Sequence, residues 1–203
     1  MRKSKGTALA FRAALFGSLL LAGLQKDRLD LKRRLKAALF EDPLTGGANE
    51  RKFMLEAKRL LARRERPSYA VVAFHMEKFR VVNEMFGHEN GTKVLYGVGR
   101  VLRENTGDSE LWAHVQADRF LLLLAASDRD SLTRRLDRIR TDLKQAIEFY
   151  GIHYEIVPAF GVCECPRGKA PDVAELVDRA LTARKSEPEG AGPYSFYEER
   201  MLL

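Results

Sequence analysis

Leu111-Trp112-Ala113-His114-Val115-Gln116-Ala117-Asp118-Arg119-Phe120-Leu121-Leu122-Leu123-Leu124 decides the reading of this chain. Two apolar segments of strand length flank a polar turn at Gln116 to Asp118, which predicts a β-hairpin with charged side chains at its tip. Upstream, Ser68 to Met76 is a largely apolar run, the pattern of a strand covered on both faces. A helix from near His88 sets Val94, Leu95, Val98, Val101 and Leu102 on one stripe. Another from about Arg129 does the same with Leu132, Leu136, Ile139, Leu143 and Ile147. Stripes of that kind need a sheet to lie on. Tyr154 to Cys165 and Tyr194 to Tyr197 supply further strands, with a helix from about Asp172 to Lys185 between them. The prediction is an α/β (α+β) fold: a ferredoxin-like palm whose central, mainly antiparallel sheet is flanked by helices and preceded by an N-terminal helix.

The chain has 203 residues, enough for one ordinary domain and a short appendage. Its net charge of +7 is not spread evenly: residues 1 to 41 hold ten Lys/Arg against three Asp/Glu, leaving 25 of each sign in the remainder. A neutral globular part argues against nucleic-acid binding, which concentrates basic charge within the binding fold. Cys163 and Cys165 lie two apart in a predicted strand, so they share a face without pointing at each other. Reduced thiols are expected, and no metal site is implied by so few ligands.

Thr7 to Leu24 is mostly apolar between basic flanks, and residues 1–24 are read as a membrane-anchor or amphipathic helix, a cleaved signal peptide being the least attractive alternative. The six cations at Lys26, Arg28, Lys32, Arg33, Arg34 and Lys36 favour a cytoplasmic C-terminal side at the inner membrane. Residues 25–41 form a helical, coiled-coil-like linker. Leu21, Leu24, Leu31, Leu35 and Ala38 fit a heptad seam interrupted at Arg28, which suggests either a homodimerising stalk or an exposed connector. Asp42 to Gly47 breaks the helix, and Asn49 caps a following one running to about Arg64.

The hairpin, the strand ending His75-Met76-Glu77-Lys78-Phe79-Arg80, the stretch Asn83-Glu84-Met85-Phe86-Gly87-His88-Glu89-Asn90-Gly91-Thr92 and the segment Asp42-Pro43-Leu44-Thr45-Gly46 together resemble the GGDEF family. Its members are diguanylate cyclases, which condense two GTP into cyclic di-GMP. The resemblance covers about residues 42–199 and implies the palm fold of nucleotide cyclases. Within the Asp-x-Leu-Thr-Gly-Leu-x-Asn-Arg motif, Gly47 and Glu50 depart from the pattern. Past the Pro/Gly-rich Ser186 to Pro193, many relatives continue through a connector into an EAL phosphodiesterase domain, so an EAL domain or another signalling partner is an implied partner.

The family's chemistry needs magnesium held by hard carboxylate oxygens. Where the resemblance places the first metal carboxylate, this chain has His75, and an imidazole is a poor magnesium ligand. The Gly-Gly-(Asp/Glu)-Glu-Phe tip aligns with Gln116, Ala117, Asp118, Arg119 and Phe120. Asp118 keeps the central acid, while Arg119 sets a cation where a carboxylate belongs. Of the guanine contacts, Asn83 is present but Thr92 replaces an acid, and a hydroxyl lacks the two-oxygen grip of a carboxylate. Lys185 matches a phosphate-contacting lysine in the family's Ala-Asp-x-Ala-Leu-Tyr-x-Ala-Lys helix, read from Val177 to Lys185, and Arg80 is a second phosphate candidate. The product-inhibition motif Arg-x-x-Asp aligns with Gly107 to Glu110 and has lost its arginine.

The resemblance therefore implies remnant catalytic positions at His75, Asp118 and Arg119, and nucleotide-binding candidates at Arg80, Asn83, Thr92, Asp118 and Lys185. The expectation is an inactive regulatory or dimerising GGDEF domain with no cofactor. Magnesium and GTP enter only under the alternative of residual GTP binding or cyclase activity. A nucleic-acid-binding palm is the remaining alternative.

Overall fold

The computed structural model describes residues 3–152, 157–166, 171–186 and 192–202. Residues 153–156 of the expected strand, 187–191 of the expected loop and the first two basic-flank residues lie outside these. The chain divides into two compact units, Met1–Leu39 and Phe40–Leu203. The first is the helix α1, which runs Lys3–Phe40 without a break between the predicted anchor and linker. Among the described residues no helix is long and apolar enough to cross a membrane. Between Arg12 and Lys26 only 13 residues are free of charge, which rise about 20 Å as helix against a hydrocarbon core of roughly 30 Å.

The second unit is the palm. After α2 (Glu50–Leu61) come β1 (Tyr69–Glu77), α3 (Phe79–Phe86), α4 (His88–Asn105), β2 (Leu111–Gln116), β3 (Arg119–Ala125), α5 (Arg129–Phe149), β4 (Val157–Glu164), α6 (Val173–Lys185) and β5 (Tyr194–Phe196). The sheet order is β2-β3-β1-β4-β5. β1 pairs antiparallel with both β3 and β4, and β5 joins β4 in parallel. Its burial on both faces explains why β1 reads as an unbroken apolar run.

Alternation along the strands sends Val72, Phe74, Phe120, Leu122, Phe160 and Val162 to one face, where the stripes of α4 and α5 cover them. Val71, Ala73, Leu121 and Leu123 go to the other, under α2 and α6. His75 and Arg119, in register across β1 and β3, continue this second row. The last side chains of that row therefore open on the ends of α2 and α6. Both cysteines are free and buried, and burial pushes their thiols up to about 11 for Cys163 and about 12 for Cys165.

Helix α3 was not legible in the sequence. It is eight residues long, enters through Lys78 at φ 63 with no side-chain cap, and ends at Gly87 with φ 81. By contrast α5 opens with a reciprocal cap between Asp128 and Ser131, and α2 with Asn49 accepting the N–H of Lys52. The departure at Gly47 also has a structural account. A Cβ there would come 2.2 Å from the indole of Trp112, so the volume of the missing side chain is filled from β2.

Helix α6 sits on β4 through backbone approach: a Cβ at Gly161 would lie 2.0 Å from the carbonyl oxygen of Ala180. Gly161→Ala is expected to destabilise the domain by about 1–3 kcal/mol, because backbone cannot yield as a flexible side chain does. Urea unfolding followed by circular dichroism checks this, and an unchanged midpoint would refute it.

Candidate functional site

The hairpin turns at Ala117 and Asp118, with a register irregularity between His114 and Gln116. Ala117 holds φ 52, a left-handed conformation that an L-residue adopts at a cost of about 1–2 kcal/mol. It is supported from within the fold. The Nε2–H of buried His114 donates to the carbonyl of Ala117 at 2.7 Å. The other ring nitrogen of His114 stands 3.0 Å from Oδ1 of Asp42. Burial works against ionisation of Asp42, yet the hydroxyl and N–H of Thr45, together with His114, hold its carboxyl below the usual range. One polar chain thus runs from the turn after α1 to the hairpin tip.

Asp118, the surviving acid, accepts the N–H of Met76 at 3.2 Å and ties the tip to the end of β1. With Phe79, Arg80, Asn83, Glu84, His88 and Ala117 it lines a cleft of about 400 Å³. Within it, Arg80 Nε donates to Glu84 at 2.7 Å, an exposed pair one helical turn apart. Asn83 lies over Gly91, where a Cβ would come 1.9 Å from its Oδ1. A side chain at position 91 would therefore displace the Asn83 amide from this place. Thr92 is turned away: its hydroxyl donates to the carbonyl of His88 in its own helix at 2.9 Å.

A second cavity, of about 360 Å³, opens on the α2/α6 face of the hairpin. His75, Gln116, Arg119, Arg184 and Lys185 line it, so the predicted site residues divide between two concavities rather than meeting in one. Burial lowers the pKa of His75. Asp118 pulls it upward, and Arg184 and Arg119 push it down again, leaving the imidazole neutral at pH 7. Arg119 donates to Oε1 of Gln116 at 2.6 Å.

Two functional-site residues escaped the sequence reading. Arg184 is buried and forms an ion pair with Glu77 at the end of β1. The signal was present in outline. Glu77 occupies the second acidic position of the strand motif, and Arg184 puts a long cation where the helix motif carries alanine. What one sequence could not show is that α6 brings the two together. The result at the end of β1 is a cationic cleft, not a cage of hard oxygens, and among the described residues no three His, Cys, Asp or Glu converge as a metal site.

The acid of the product-inhibition segment is also engaged internally. Glu110 accepts from the guanidinium of Arg135 in α5 and from the N–H groups of Gly107 at 2.8 Å and Ala125 at 2.7 Å.

A hairpin tip set beside the end of a central strand, on a five-stranded sheet covered by helices, is a palm architecture. The family of diguanylate cyclase GGDEF domains matches residues 39–190, and the chain belongs to the GGDEF family. Diguanylate cyclase DgcP of Pseudomonas aeruginosa is 27% identical over 148 residues, 71% of this chain and 22% of that protein. The coiled coil and GGDEF domain of DgcB from Caulobacter crescentus, solved in complex with c-di-GMP, superposes with TM-score 0.71 at 18% identity, covering 90% of this chain and 98% of that one. The S helix-GGDEF-EAL structure of Vibrio cholerae LapD, bound to c-di-GMP, gives TM-score 0.68 at 19% identity over 84% of this chain and 40% of that one. The chain spans less than a third of the length of three curated relatives it matches, 30%, 24% and 22%, and under half of the length of the others compared.

Proposed function

We propose that this chain is a catalytically silent GGDEF domain that works as a regulatory or dimerising module in cyclic di-GMP signalling. The observation that carries the proposal is the charge of the cleft. Arg119 and a neutral His75 stand where turnover needs carboxylates around magnesium, Arg184 adds a buried cation beside them, and the one retained tip acid, Asp118, accepts a backbone N–H. A cation brought to this position meets the guanidinium groups of Arg119 and Arg184 against the single carboxylate of Glu50 among the described residues lining the cavity. The residues present do not fit magnesium.

Dimerisation is assigned to α1. Leu21, Leu24, Leu31 and Leu35 are each more than half exposed within their own unit. Their heptad spacing suits a second copy of the same helix. Within the palm unit, the polar chain from Asp42 through His114 to Ala117 reaches the hairpin tip. Likeness in fold to a protein with an S helix and an EAL domain supports an EAL domain as the element regulated.

The test is turnover by the purified chain with GTP and magnesium, read by chromatography. No cyclic di-GMP above the protein-free control is expected. Formation of cyclic di-GMP that Asp118→Ala abolishes would overturn the proposal.

A further inference from the structure

We infer that the cavity on the α2/α6 face of the hairpin takes an aliphatic monocarboxylate. Its carboxylate sits on the buried guanidinium of Arg184, and its alkyl chain runs along Val115, Leu121, Val177 and Leu181. The inference goes beyond the silent-domain reading and involves no metal.

Arg184 belongs to this chain and not to the family pattern, since the helix motif carries alanine at its position. It lines the cavity and is 9% exposed. Its Nη2 donates to Glu77, while its Nε is buried without a hydrogen-bond partner. A buried N–H on a cation, at the wall of a cavity, is satisfied best by an anionic oxygen. One such donor suits one oxygen of a monoanion. The cation at the opening supplies attraction and not a second buried seat, because Arg119 is exposed and already donates to Gln116 at 2.6 Å. A phosphate dianion would carry more charge to this place than the free donor meets.

The rest of the wall decides what the acid is attached to. Val115 and Leu121 from the hairpin face the cavity together with Val177 and Leu181 from α6. Val115 and Leu181 are only half-buried, so an alkyl chain laid on them takes apolar surface out of water on both sides of the contact. The volume of about 360 Å³ lies within the range of small-molecule sites, roughly 300–1,000 Å³. Burial of each methylene is worth about fourfold in affinity.

Calorimetry on the full chain in EDTA tests this with octanoate, hexanoate and 1-octanol as probes. Octanoate is expected to bind about fifteenfold more tightly than hexanoate, which is two methylenes shorter, and at least tenfold more tightly than the uncharged alcohol. Glu77→Leu with Arg184→Met removes the buried cation together with its partner and should abolish the preference for octanoate over octanol. Leu181→Asn, at a half-buried position, should weaken octanoate severalfold while leaving that preference in place. Failure of octanoate to bind, or octanol binding as tightly, would overturn the inference and leave the silent-domain reading standing, because that reading is judged by turnover. A preference for octanoate that survives in the double variant would place the carboxylate elsewhere and refute the assignment to Arg184. Equal affinity for hexanoate and octanoate would refute the apolar seat.

Discussion

Glu77→Ala is expected to lower the unfolding free energy by about 3–5 kcal/mol, the loss typical of removing one partner from a buried ion pair. Arg184 has 10% and Glu77 20% side-chain exposure, so solvent screens the pair little. Truncating the acid strands a guanidinium under the sheet, where its Nε already has no partner. Replacing both ends by apolar residues of similar size, Glu77→Leu with Arg184→Met, removes that liability, and the double variant should recover most of the loss. Urea denaturation of the two variants measures this. A single variant as stable as the parent would show that the pair contributes nothing to holding α6 against β1.

Glu110→Ala should cost a similar amount, about 3–5 kcal/mol, at the opposite end of the sheet. Its side chain is 5% exposed, and the Arg135 side chain 28%. Four donor contacts converge on this one carboxylate: two from Arg135 and one each from Gly107 and Ala125. Burial alone would raise its pKa, but the hydrogen bonds from Arg135 and the two backbone N–H groups outweigh it and hold the carboxyl below the usual range. Because the folded-state pKa lies below the unfolded one, the stabilisation is fully present above the unfolded value, near 4.3, and disappears as pH falls through the folded value. Asp42, depressed in the same direction, adds to the acid limb. Stability measured from pH 7 down to pH 3 should therefore fall more steeply in the parent than in Glu110→Gln. Parallel curves would contradict the assignment.

Much of the palm was legible because its physics is periodic. The apolar stripes of α4 and α5 and the doubly buried β1 are patterns that a covered sheet imposes on sequence. The short α3 was not, since it starts without a capping side chain and depends on Phe79 and Val82 reaching the core. The site was readable to the same limited degree. Substitution at His75 and Arg119 is visible in one dimension, but the partition of Asn83 and Asp118 from Arg119 and Lys185 is set by α3 and α6 lying on opposite sides of the hairpin. Arg184 was missed for a related reason. A cation in the last turn of a helix reads as a surface residue until α6 packs onto β4 at Gly161 and carries it inward.

Catalytic silence requires that no divalent cation has a seat at the end of β1. Crystals of the full chain soaked with GTP and manganese, with data collected at the manganese edge, test it most directly. No anomalous peak within coordination distance of His75, Asp118 or Arg119 is predicted. A strong peak there, with nucleotide phosphate attached, would contradict it.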